Sequence, residues 1–181
     1  MLSAPGLQVA GAPFQPTLST QPNDFTIAIS YIGAGLNTPQ GVAIDASGNP
    51  WVASVSSSLS KFGPTGAAIS GSSGYTGGGL DCPIGIAIDA SGNVWAANAN
   101  AASISEFNSS GAELSGSSGY TGGGLHGPVG IAIDGSGNVW VTNGTAYSTN
   151  IAEYVGAATP VVTPVVANLK SPYGQHAVNR P

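Results

Sequence analysis

Pro83–Asn98 reads PIGIAIDASGNVWAAN, and the fold can be worked out from this stretch. From Ile84 to Asp89, isoleucines alternate with Gly85 and Ala87, a period of two that suits a half-buried strand. Ala90-Ser91-Gly92-Asn93 follows with turn chemistry, Gly92 being free to take a positive φ. Val94–Asn98 then supplies a second strand, so the stretch reads as a hairpin. The pattern recurs upstream as Pro39–Ser54 (PQGVAIDASGNPWVAS) and downstream as Pro128–Asn143 (PVGIAIDGSGNVWVTN). The first prolines are 44 and 45 residues apart, and Trp51, Trp95 and Trp140 keep step with them. A second block, GSSGYTGGGL, occupies Gly71–Leu80 and Gly116–Leu125, with a weaker relative, ISYIGAGL, ending at Leu36.

Working outward within the middle unit, Ser103–Asn108 reads as a third strand and Ala112–Ser115 as the start of a short fourth, with Ser109-Ser110-Gly111 turning the chain between them. Four short antiparallel strands in about 45 residues make one blade of a β-propeller. A β-helix needs shorter coils, and a leucine-rich solenoid needs a leucine ladder that is absent. The expected fold is therefore all-β, with four-stranded antiparallel blades in units of about 36–80, 81–125 and 126–166. Phe25–Ser30 (FTIAIS) is placed to complete the last blade, giving twelve strands within a propeller region of 25–166. Residues 1–24 read as a Pro/Ala-rich extended lead, Thr159–Val166 as an edge strand or strap, and 167–181 as a loose tail. Three blades are too few to close a ring, for which about four is the minimum. The chain is thus expected either as half of a six-bladed ring made by a head-to-tail homodimer or as a partial ring, a fragment or shortened copy of a longer propeller, with a four-bladed monomer that uses both termini as a third arrangement.

The motif P-x-G-[IV]-A-[IV]-D-x-S-G-N-x-W resembles the NHL repeat, found in β-propellers related to virginiamycin B lyase and gluconolactonase-like proteins. The resemblance covers residues about 36 to 155, and the segment through Val166 is similar to the endings of bacterial exported NHL proteins. It implies the fold and leaves the activity open, because such propellers include scaffolds, receptors, RNA binders and enzymes. It also implies an exported, periplasmic or cell-surface location, although Met1–Gly11 lacks the basic and apolar regions of a signal peptide.

Composition narrows the partners. Of 181 residues only 6% are charged, with 3 Lys and Arg against 8 Asp and Glu. Nucleic acid is not an expected partner, because phosphate binding needs clustered cations and only Lys61, Lys170 and Arg180 are present. No run approaches the roughly 20 apolar residues of a membrane span. The 28 Gly and 13 Pro disfavour long helices. Cys82, the single cysteine, rules out an internal disulfide and is expected as a small buried hydrophobe.

Candidate site residues come from what varies over the constant frame. Asn37, Asp81 and His126 each follow the recurring Leu before the innermost strand, and Ser54, Asn98 and Asn143 close the second strand. In a propeller these connections share one face around the channel mouth, where specificity resides. All six are ligand-binding candidates for a protein, glycan or small ligand. Asp45, Asp89 and Asp134 partly match an oxygen-rich calcium loop but lack its other carboxylates, so they are expected to accept hydrogen bonds from the turns. Trp51, Trp95 and Trp140 are expected to pack blade against blade. No cofactor is required, and no catalytic residue is assigned. The leading expectation is a non-catalytic binding module. The alternative is a metal-assisted lyase or lactonase, in which Asp81, His126, Asn98 and Asn143 would hold a divalent cation, as the family resemblance implies. Glu106, Glu113 and Glu153 read as solvated edge charges, and His176 lies in the tail.

Overall fold

The computed structural model describes residues 29–144 and 150–161. Ten strands form three antiparallel sheets and, among the described residues, there is no helix. The first sheet holds β1 (Pro39–Ile44), β2 (Pro50–Ser54) and β3 (Ser58–Lys61), in that order. The second holds β4 (Pro83–Ile88), β5 (Val94–Asn98), β6 (Ser103–Phe107) and β7 (Tyr120–Thr121). The third holds β8 (Pro128–Ile133), β9 (Val139–Asn143) and β10 (Ile151–Tyr154). Among the described residues no helix is long and apolar enough to cross a membrane.

Each sheet starts with the hairpin read from the sequence. The register sets Trp51 opposite Ala43, Trp95 opposite Ala87 and Trp140 opposite Ala132, a large ring against a methyl group each time. The first strands β1, β4 and β8 lie side by side without sharing a sheet, so β4 is flanked by the other two. Their approach is close because of glycine. A Cβ on Gly41 would stand 2.2 Å from the Ile84 carbonyl oxygen, and one on Gly85 would stand 2.2 Å from that of Val129. The connections stack in the same way: a Cβ on Gly35 would meet the Gly74 nitrogen at 2.1 Å, and one on Gly79 the Gly119 nitrogen at 2.2 Å.

Between the sheets lie two apolar cores. Trp51, Ala53 and Leu59 pack on Val94, Ala96 and Phe107, with Ile86 and Ile88 alongside. Trp95 and Ile104 pack on Val139, Val141 and Ala152, with Ile131 and Ile133 alongside. Burying one such large side chain stabilises by about 1.5–3 kcal/mol, so the sheet-to-sheet contacts hold the molecule together.

Several expectations need correction. The fourth strand of the middle unit is Tyr120–Thr121, not Ala112–Ser115, of which Glu113 forms only an isolated bridge with Phe107. The cause is local hydrogen bonding. After a turn closed by the Asn108 side chain, Leu114 N–H still donates to the Glu106 carbonyl at 2.8 Å, but Glu106 N–H donates to Ser115 Oγ at 2.9 Å rather than to a backbone carbonyl, which ends the ladder there. Ser115 then donates to the Gly78 carbonyl, which ties the segment to a different loop. Glu106 is not a solvated charge: it is buried and accepts the Tyr120 hydroxyl at 2.7 Å, since the fourth strand covers it. Glu113 is exposed, yet it also has a partner, the Gly78 N–H. Cys82 is only half-buried, because it sits in a connection with φ +53° rather than in a core. Of the N-terminal strand expected over 25–30, residues 25–28 lie outside the described residues, and Ile29 and Ser30 are not in a strand. Only 159–161 of the expected strap are described. There Thr159 donates its N–H to Asp89 at 3.1 Å, reaching back to the middle sheet. His176 and the tail also lie outside the described residues.

Candidate functional site

Each unit steps into its innermost strand through three residues after the recurring Leu: Asn37-Thr38-Pro39, Asp81-Cys82-Pro83 and His126-Gly127-Pro128. A tight turn precedes each step, with the N–H of Leu36, Leu80 and Leu125 donating to the carbonyls of Gly33, Gly77 and Gly122 at 2.9–3.1 Å. The middle residue of each step is left-handed: Thr38 and Cys82 at φ +53°, Gly127 at +57°. Glycine takes this conformation freely, whereas a β-branched threonine is strained there.

The six candidates come together as three pairs built alike. Asn37 N–H donates to Ser54 Oγ at 3.4 Å, Asp81 N–H to Asn98 Oδ1 at 3.3 Å, and His126 N–H to Asn143 Oδ1 at 2.7 Å. The two members of a pair differ in access. Asn37, Asp81 and His126 are exposed, while Ser54 and Asn98 are fully buried. The Asn98 amide donates to Ser103 Oγ and Ser105 Oγ at 3.1 and 2.9 Å. That of Asn143 donates to the Gly124 carbonyl and Asn150 Oδ1 at 2.9 and 3.2 Å. The second member of each pair thus braces the loop from behind, and the first faces solvent, with Asn37 Oδ1 accepting the Thr38 hydroxyl at 3.3 Å. One amide, one carboxylate and one imidazole are presented in this way. Among the described residues no three His, Cys, Asp or Glu side chains group closely enough to hold a metal ion.

Asp45, Asp89 and Asp134 stand at the opposite end of the hairpins. Asp45 Oδ1 accepts the N–H groups of Ser47 and Asn49 at 2.9 Å, and Oδ2 accepts the Asn49 amide and the Trp51 indole at 2.9 and 3.3 Å. Asp134 repeats the pattern with Ser136, Asn138 and Trp140, the indole bond being 3.0 Å. Burial pushes the Asp45 carboxyl up, but the Asn49, Trp51 and Ser47 bonds outweigh it and hold the group down at about 2. The Trp140 indole and the Asn138 N–H bring Asp134 to about 2 as well. Asp89 departs from the series. It accepts the Thr159 N–H in addition to Ser91 and Asn93, and the buried Trp95 indole N–H has no partner. Every oxygen of these carboxylates accepts at least one hydrogen bond, and Asp45 also pairs with the Lys61 ammonium at 3.4 Å.

One feature was not singled out from the sequence. A cleft of about 620 Å³ opens at the outer strands, lined by Trp95, Tyr120, Thr121, Tyr154 and Ala157. Trp95 and Tyr120 stack with ring centroids 5.7 Å apart. Burial, then the Glu106 carboxylate, pushes the Tyr120 hydroxyl up to about 12. Burial likewise raises Glu106, against the lowering effect of the Tyr120 bond. The tyrosine of the GSSGYTGGGL block was the available signal, since Tyr75 packs on Trp51 in a tilted arrangement with centroids 5.3 Å apart.

No family model and no curated protein matches this sequence. Solved structures do match. One is a catalytically inactive virginiamycin B lyase from Staphylococcus aureus with quinupristin, at 19% identity and a TM-score of 0.51, over 70% of this chain and 44% of that one. Another is a putative gluconolactonase, at 16% identity and a TM-score of 0.50, over 71% of this chain and 49% of that one. The fold is that of a partial β-propeller. Its three sheets are blades, and the chain spans under half the length of either protein. At these identities the likeness concerns the fold alone. Within that fold, Asn37, Asp81 and His126 hold equivalent places at one end of three adjacent innermost strands.

Proposed function

We propose that the chain is a non-catalytic binding module of an exported or cell-surface bacterial protein, with its ligand over the face where the innermost strands begin. One observation carries this reading: each blade presents an exposed polar side chain at the same place, different in each, from a loop built on the same plan in all three. A constant frame with a varied presented group is how repeat propellers acquire specificity. Among a protein, a small ligand and a glycan, a glycan fits best. Amide, carboxylate and imidazole exchange hydrogen bonds with hydroxyls, and no lysine or arginine stands among the three to select an anion. The low charge of the chain and its NHL-like motif support placing it outside the cytoplasm. A glycan array probed with the purified chain tests the reading. Binding is expected to at least one glycan class, reduced at least tenfold in the Asn37→Ala, Asp81→Ala and His126→Ala triple variant. No binding, or binding unchanged in that variant, contradicts it.

The likeness to a lyase and a gluconolactonase favours a second reading, a metal-assisted lyase or lactonase centred on Asp81 and His126. Asn98 and Asn143 serve it poorly, because their amides are spent on the frame. A divalent ion that copurifies with the chain, and is lost in both Asp81→Ala and His126→Ala, would establish this second reading over the first.

A further inference from the structure

The two ends of the blade series carry the unmatched halves of an interface that the molecule already makes twice. At each internal junction the preceding blade offers a tryptophan and a large aliphatic: Trp51 with Leu59, then Trp95 with Ile104, all nearly or fully buried. The following blade receives them on two β-branched residues of its innermost strand, Ile86 with Ile88, then Ile131 with Ile133.

The strand registers identify the same groups at the ends. Val42 lies opposite Val52, as Ile86 lies opposite Ala96 and Ile131 opposite Val141. Ile151 lies opposite Thr142, as Leu59 lies opposite Ala53 and Ile104 opposite Ala97. The leading face of the first blade therefore shows the receiving pair, Val42 and Ile44, which are 65% and 68% exposed. The trailing face of the last blade shows the offered pair, Trp140, which is half-buried, and Ile151, which is 61% exposed. Two further details agree. Pro39 is exposed where Pro83 and Pro128 are fully buried. Gly130 keeps the place of Gly41 and Gly85, yet a Cβ there would meet only the side chain of Thr142 in its own blade.

We infer that the occupant of each face is a second copy of this chain, joined head to tail so that Trp140 and Ile151 of one copy seat on Val42 and Ile44 of the other. Both halves of the junction are present on one molecule, and their chemistry is the one that closes the two internal junctions. Such a contact is heterologous, so it must close into a ring or run on as a filament. Propellers have about 4–8 blades, and among whole multiples of three only six falls in that range. Two copies therefore close one ring, with two identical junctions between them.

Sedimentation equilibrium on the purified chain tests this, with the single-chain mass being 17.7 kDa. The expected mass is twice that. Val42→Asp with Ile44→Asp spoils the leading face, and Ile151→Asp spoils the trailing face; all three positions are exposed, and an unchanged far-ultraviolet circular dichroism spectrum checks the fold. Each variant alone is expected at the single-chain mass. An equimolar mixture of the two is expected to recover the doubled mass, because one junction, between the sound trailing face of the first and the sound leading face of the second, survives. A wild-type mass of one chain, a series of larger multiples, a doubled mass in either variant alone, or a mixture that stays at one chain would each overturn the inference.

Discussion

Asp45 and Asp134 each hold a hairpin turn closed through one carboxylate that gathers two backbone N–H groups, an amide and an indole. Their ordinary value is 3.8 and in the folded chain it is about 2. The stability they contribute is complete above about pH 4 and is lost as pH falls towards the folded value. Asp45→Asn and Asp134→Asn are therefore expected to be less stable than the wild type at pH 7. Acid titrations followed by tryptophan fluorescence should show that gap closing between about pH 4 and pH 2. A gap that stays constant to pH 2 would contradict the assignment. Thr38 and Cys82 present the converse case, since an L-residue in left-handed backbone costs roughly 1–2 kcal/mol. The third blade already uses Gly127 at this step, so Thr38→Gly and Cys82→Gly are expected to stabilise by about 1 kcal/mol, Thr38 more than Cys82. Denaturant titration measures the difference. A loss of stability in both would show that the connection is not strained.

At the scale of the strand, the glycine of each P-x-G is what lets neighbouring innermost strands touch. Overpacking a tight contact costs about 1–3 kcal/mol. Gly41→Ala and Gly85→Ala are expected to fall in that range, because the added methyl group would meet a backbone carbonyl that cannot turn away. Gly130→Ala meets a threonine side chain within its own copy, so thermal unfolding should show it costing less in a single chain and as much as the other two where a second copy packs on that strand. No measurable cost at Gly41 and Gly85 would contradict the packing described. The hairpins were readable in the sequence because period-two alternation and Ala-Ser-Gly-Asn turns act locally, and β5 begins and ends at the residues expected. The fourth strand was not readable. Its position depends on Ser115 taking the Glu106 N–H with its side chain and bonding a loop 37 residues distant, neither of which shows in strand propensity. Glu106 was misread for the same reason, since its cover, Tyr120, arrives only once that strand is placed.

At the scale of the whole molecule, repeat spacing made the blades legible and made three of them a deficit. The sequence also marked Asn37, Asp81 and His126 as equivalent, because they vary beside a constant Leu. It could not show that Ser54 and Asn98 turn inward, since a terminal polar residue on a strand looks the same whether it braces a loop or meets a ligand. Nor could it reveal that Asp89 yields its place beside Trp95 to Thr159, a contact spanning 70 residues. The central claim is that these repeats are wedges about a common axis, with the polar triad gathered at one end of it. A crystal structure of the purified chain tests this most directly. The account predicts six blades from two copies around one axis, with Asn37, Asp81 and His126 of both copies at one mouth; blades piled in a row, or the triad dispersed over separate faces, would contradict it.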